Sequence, residues 1–140
     1  MISTQEKEII EKLKKVIGYD APQITQNQFD NMIDYIIKNE AIEENPKELV
    51  WRLCGCYENL NFNKVIDFFV DSKDAYYVSE LVTYVGDNLD QKYLTEKMLE
   101  TNNLEFINNA MSYCGNAMSY SLDQKYIEEI RDFIKRNTPV

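Results

Sequence analysis

The pentapeptide Leu89-Asp90-Gln91-Lys92-Tyr93 occurs again, unchanged, at Leu122–Tyr126, 33 positions later in a chain of 140 residues. A repeat constrains a short chain more than composition can, because it predicts the same local structure twice. The flanking residues extend it. Tyr84-Val85-Gly86 precedes the first copy and Tyr113-Cys114-Gly115 the second. The second copy carries four more residues between its Gly and the pentapeptide. That is close to one turn of α-helix, so a lengthened helix with unrotated faces is expected. A fainter third copy lies upstream, where Cys54-Gly55 stands in the place of Val85-Gly86 and Cys114-Gly115. Leu60 then matches Leu89 at a shift of 29, Val65 matches Leu94, Phe69 matches Met98 and Val70 matches Leu99.

Apolar spacing within each copy is helical. Val78, Leu81, Val82 and Val85 recur at i, i+3, i+4 and i+7, and Ile107, Ala110, Met111 and Cys114 repeat that pattern at a shift of 29. Tyr126, Ile127, Ile130, Phe133 and Ile134 give a broad apolar face to a last helix. Asp90 and Asp123 are expected N-caps, their carboxylates accepting amide hydrogens of the first turn. Asn45-Pro46 reads the same way, with Pro at the first helical position. Before the copies, Ser3–Glu6 (STQE) is a capping box for a helix ending at Gly18, and Thr25–Gln28 (TQNQ) opens a helix with Phe29, Met32, Ile33, Ile36 and Ile37 on one face. The longest connection falls at about 19–24 and contains Pro22.

Eight helices in four antiparallel pairs follow. The expected fold is all-α, a single domain over 1–140 built as a short right-handed α-solenoid. Residues 1–45 form a divergent first pair, and 46–73, 74–103 and 104–137 form the repeat units. Over roughly 46–136 this resembles the HEAT-like helical repeat proteins in architecture. The tetratricopeptide and ankyrin signatures are absent from the sequence.

Composition narrows the function. The chain has no histidine, which removes Ser-His-Asp and Cys-His constellations, His-ligated metals and the commonest general base. Its four glycines are dispersed, so no glycine-rich loop can cradle a phosphate. Cys54 and Cys56 sit two apart, and on a helix such residues point about 200° away from each other. They do not clamp one ion, and Cys54 is expected in the core. The paired acids Glu43-Glu44 and Glu128-Glu129 are neighbours on a helix and do not converge on one atom. No catalytic residue, metal or cofactor is expected. No stretch approaches 18 apolar residues, and "MISTQEKEIIEKLKK" lacks a basic start followed by an apolar run. Three cysteines, an odd number, argue against a disulfide framework. A cytoplasmic protein is expected.

The net charge is −9. It lies in the middle of the chain, with −5 over 19–60 and −5 over 61–122, while the last 18 residues balance at zero. Such a field repels nucleic acid and anionic lipid and attracts a cationic protein; it also serves solubility. Equivalent positions of successive units sharpen the point. Asp67, Glu96 and Glu129 form an expected carboxylate ladder on the second helices, extended one turn by Asp71 and Glu100. On the first helices Glu80, Asp87, Tyr76 and Tyr120 form a second stripe, with Tyr84 and Tyr113 at equivalent places and expected half-buried between units. Ten tyrosines in 140 residues suit an interface. The sole Trp51 is expected in packing.

The expected function is a non-enzymatic protein-binding module for a basic partner, with neither nucleic acid nor membrane as ligand. The chain is similar to bacterial toxin-immunity proteins in being small, acidic and without catalytic groups. That likeness implies an acidic face occluding the groove of a cationic, nuclease-type toxin. The alternative is an adaptor or regulatory subunit of a larger complex, using the same surface for a peptide or basic protein.

Overall fold

A computed structural model describes residues 3–4, 23–38 and 45–139, with the backbone alone at Asp87 and Cys114. The first expected helix, most of the Ser3–Glu6 box, Pro22 and the Glu43-Glu44 pair lie outside the described residues. Among the described residues every regular element is helical, as the spacing predicts. The elements are α1 (Gln26–Lys38), α2 (Pro46–Cys56), α3 (Asn63–Asp71), α4 (Ala75–Val85), a 3-10 turn (Gly86–Asn88), α5 (Gln91–Glu100), α6 (Leu104–Asn116), α7 (Met118–Ser121) and α8 (Gln124–Asn137). They divide into two compact units, 1–65 and 66–140.

In the first unit the TQNQ box forms as expected. Thr25 Oγ1 accepts the Gln28 amide at 3.1 Å and Gln28 Oε1 accepts the Thr25 amide at 2.9 Å. Phe29, Met32, Ile33 and Ile36 are fully buried, and α1 packs on α2. Phe29 meets Tyr57 edge-on at 6.2 Å and Phe62 at 5.8 Å. Gln26 holds both backbone groups of Asn61, donating from Nε2 at 2.9 Å and accepting at 2.7 Å.

The repeat is visible in the turns. Asn45, Asp74 and Asn103 stand 29 residues apart, and each side chain caps its helix by accepting the amide three residues on, from Glu48, Tyr77 and Phe106. Cap to cap, Leu49, Val78 and Ile107 are buried, and so are Leu53, Val82 and Met111. Lys73 and Asn102, just before the second and third caps, have φ of 51° and 49°. A left-handed residue stops one helix and the next residue starts another. This register corrects the alignment of the first copy. Gly55 is equivalent to Tyr84 and Tyr113, and Cys54 to Thr83 and Ser112, so Cys54 does not share the place of Val85. Matching the Cys-Gly dipeptide had shifted the copy by two residues. Cys54 is nonetheless core, 1% exposed, and burial pushes its thiol well above the ordinary range.

Two further expectations are corrected. The four extra residues of the last copy do not lengthen α6. Gly115 and Asn116 take φ of 65° and 68°, which a right-handed helix cannot propagate, and a separate turn, α7, follows. Asp90 caps α5 through the Tyr93 amide at 3.1 Å, but Asp123 makes no side-chain cap bond. The Asp123 amide is instead held by Gln91 Oε1 at 2.7 Å, while Gln91 Nε2 donates to the Gly86 carbonyl at 3.0 Å. The two pentapeptides thus meet directly, Gln91 of the first clasping the helix start of the second.

In the second unit α4 packs on α6, and α5 on α8. Tyr76 touches Tyr113 near the start of α4, and Gly86 approaches the Ser121 carbonyl just past its end, where an added Cβ would lie 3.3 Å away. Val78, Leu81, Val82, Leu94, Met98, Ile107, Ala110, Ile127 and Ile130 fill the interior, each 2% exposed or less, and each large aliphatic there stabilises by about 1.5–3 kcal/mol. Ser79 is 1% exposed, and its hydroxyl has no hydrogen-bond partner.

Asp74→Ala and Asn103→Ala are each expected to lower stability by about 1 kcal/mol, whereas Asp123→Ala changes it little; urea denaturation of the three variants reads the difference. In the same assay Ser79→Ala is expected to raise stability by about 1 kcal/mol, because the orphan hydroxyl leaves the interior. A loss there would show that the hydroxyl is bonded.

Candidate protein-docking face

The expected ladder on the second helices is uneven. Asp67 is half-buried; its carboxylate accepts the Tyr93 hydroxyl and pairs with Lys97 at 3.5 Å. Asp71, exposed at the end of α3, meets the same Lys97 at 3.5 Å. Glu96, Glu100 and Glu129 are exposed. The face therefore begins with two acids tied to a base from the neighbouring helix. Ion pairs this accessible contribute at most about 1 kcal/mol each. Burial alone would pull the Lys97 ammonium down; the carboxylates of Asp67 and Asp71 overcome it and hold it above its ordinary value.

The first helices are different. On α4, Tyr76, Glu80 and Tyr84 follow at i, i+4 and i+8, along one side. Tyr76 is 44% exposed and Tyr84 65%, while Glu80 is half-buried. Tyr113 on α6 is 41% exposed and Tyr120 on α7 is 86%. The expectation of half-buried packing between units is overturned for Tyr84, whose place in the cap register lies off the buried stripe of Val78, Val82 and Val85; Tyr113, 41% exposed, does pack against Tyr76 of the preceding unit. Tyr76 meets Tyr113 at 5.8 Å and Tyr77 at 5.0 Å, both near perpendicular, and Tyr77 stacks on Phe69 at 5.3 Å. Asp87 lies in the 3-10 turn, and its side chain is outside the described set. Trp51, in the other unit, is half-buried.

Charge divides along the same lines. Over 66–140 thirteen acids stand against seven bases, a net −6. The segments 74–91 and 101–124, which hold α4, the 3-10 turn, α6 and α7, contain six acids and neither Lys nor Arg. The remainder, mostly α5 and α8, balances seven acids with seven bases. The whole deficit of this unit therefore sits on the segments that expose four tyrosines. Reading the sequence for equivalent acids missed this; counting Lys and Arg segment by segment would have found it.

The two pentapeptides border an open cleft of about 310 Å³, lined by Leu89, Asp90, Gln91, Lys92, Asp123 and Tyr126. Its polar groups are engaged in the fold, with Asp90 as a cap and Gln91 as the clasp. Among the described residues no three His, Cys, Asp or Glu side chains gather as metal ligands, and no helix is long and apolar enough to cross a membrane.

The Tyr93 hydrogen bond has a pH signature. The Asp67 acceptor first, then burial, raises the phenol from its ordinary 10.0 to about 12. The folded state favours the protonated phenol, so this contribution to stability is complete below pH 10 and lost as pH rises through about 12. In tyrosine ring carbon NMR, Tyr93 is expected to titrate near the raised value of about 12 in the native chain, and to fall back toward 10.0 in Asp67→Asn. A midpoint at the ordinary value in the native chain would contradict the bond.

No protein family model, curated protein or solved structure matches this chain.

Proposed function

We propose that this chain is a non-enzymatic binding protein that captures a basic protein on the face formed by α4, α6 and α7. The observation that carries the reading is the coincidence of four exposed tyrosines with segments holding six acids and no base. Complementary charge speeds encounter, and large rings of low conformational entropy slow release. The most specific form of the reading is an immunity protein in the cytoplasm that neutralises a cationic, nuclease-type bacterial toxin by covering its phosphate-binding groove. Nucleases are basic where they hold phosphate, and helices that carry no base of their own meet such a groove with less like-charge repulsion. The balanced α5 and α8 side fits that task less well, because its Lys and Arg would oppose the groove.

The test is inhibition and pulldown with the basic nuclease domain encoded beside the gene. The native chain is expected to bind and to abolish nuclease activity. Tyr84→Ser with Tyr120→Ser is expected to weaken binding at least ~10-fold with an unchanged urea midpoint, and Glu96→Lys with Glu129→Lys much less. Capture of a basic protein without nuclease activity would favour the adaptor role. The reverse ranking of the two double variants would move the interface to the second helices.

A further inference from the structure

We infer that Tyr120 is the anchor by which the basic partner is held, its ring seated in an apolar socket of that partner. This rests on the basic-partner reading above and adds to it the residue that sets the lifetime of the complex. Tyr120 lies on α7, in the stretch between Gly115 and Leu122 that is four residues longer than its counterpart between Gly86 and Leu89. Insertions in a repeat fall on one face, commonly the one that binds. The Tyr120 side chain is 86% exposed. Of the four exposed tyrosines, Tyr76 and Tyr113 meet each other and Tyr84 is engaged within the fold. Among the described residues the Tyr120 side chain has no hydrogen-bond or ring partner, so nearly all of its area is left for another molecule.

The ring is free, but the backbone that carries it is held. Met118 is fully buried and Leu122 is 6% exposed, one on each side of Tyr120. The Leu122 amide donates to the Met118 carbonyl at 3.0 Å, and Ser121 Oγ to the Ala117 carbonyl at 3.3 Å. Gly86 lies so close to Ser121 that an added Cβ would stand 3.3 Å from its carbonyl oxygen. Gln91 fixes the Asp123 amide just beyond. A tyrosine on a braced backbone gives up only its two side-chain torsions on docking, so little entropy opposes the contact. Arg131 of α8 reaches Ser119 Oγ at 3.5 Å and places one base beside the insert. Contact at Tyr120 is therefore apolar packing rather than ion pairing. The attraction comes from the wider surroundings, since 74–91 and 101–124 carry six acids and neither Lys nor Arg. Those carboxylates act at a distance and speed the approach of a cationic protein, whereas the ring acts on contact and slows its departure.

Association and dissociation rates of the full chain with the basic nuclease domain encoded beside the gene, measured by surface plasmon resonance, separate these two contributions. Tyr120→Ser alone is expected to raise the dissociation rate at least ~10-fold. Its association rate is expected to stay within about 2-fold of the native chain, and its urea midpoint to be unchanged. Tyr120→Phe, which keeps the ring, is expected to dissociate within about 3-fold of the native rate. Tyr84→Ser is expected to change dissociation by less than about 3-fold. A native chain that binds while Tyr120→Ser leaves no faster overturns the anchor and leaves the basic-partner reading standing. A larger effect from Tyr84→Ser than from Tyr120→Ser does the same. Tyr120→Phe that dissociates as fast as Tyr120→Ser overturns the apolar socket, because the hydroxyl would then carry the contact. A native chain that does not bind the domain overturns both the anchor and the reading it rests on.

Discussion

The three-residue turn that ends one helix and caps the next is the constraint on which the rest of the second unit depends. At Lys73-Asp74 and at Asn102-Asn103, a left-handed residue halts the incoming helix and an oxygen-bearing side chain starts the outgoing one. The left-handed conformation costs a non-glycine residue roughly 1–3 kcal/mol, and each cap returns about 1 kcal/mol. The remainder comes from what the turn permits, which is burial of both helices it joins. Moving the cap by one residue would rotate Val78, Leu81 and Val82 about 100° out of the interior. The turns therefore set not only where the helices begin but which face of each meets solvent.

That choice of face sorts charge. First helices and second helices occupy separate places in the unit, with α4 on α6 and α5 on α8. All the Lys and Arg of 66–140 except Lys73 fall on α5 and α8. Lys97 is drawn into Asp67 and Asp71, and Arg136 into Asp132 at 3.2 Å. Those acids are neutralised within their own layer. The segments 74–91 and 101–124 themselves carry no Lys or Arg, although Arg131 of α8 reaches Ser119 of α7 at 3.5 Å. A surplus of carboxylates beside exposed rings makes the local potential more favourable to an approaching cation, and this sets the segments of α4, α6 and α7 apart from the charge-balanced α5 and α8.

Much of the architecture was legible because its signals are local. Helical spacing marked Val78, Leu81, Val82 and Val85 and the matching Ile107, Ala110 and Met111, and all are buried. The caps at Asn45 and Asp90 and the Thr25–Gln28 box depend on residues three apart and were readable for the same reason. Asp123 was misread because a cap needs its side chain turned toward the first-turn amides. The Asp123 backbone is set instead by Gln91, 32 residues away. The break at Gly115-Asn116 was missed because helix-length arithmetic takes no account of positive φ. The Cys54-Gly55 alignment failed because an identical dipeptide outweighed the less conspicuous run of Asn45, Asp74 and Asn103.

The amino-acid order by itself determined that this chain is helical, that it repeats at 29 and 33 residues, and which stripes are apolar, since all of these follow from spacing along a single strand of backbone. Tertiary structure decided that Asp67 and Asp71 would share Lys97, that Tyr76 would meet Tyr113 edge-on, and that Tyr84 would stay largely in solvent. Those outcomes depend on how far one helix slides along another. Side-chain volumes across the interface settle that distance, and no periodicity within either helix encodes it.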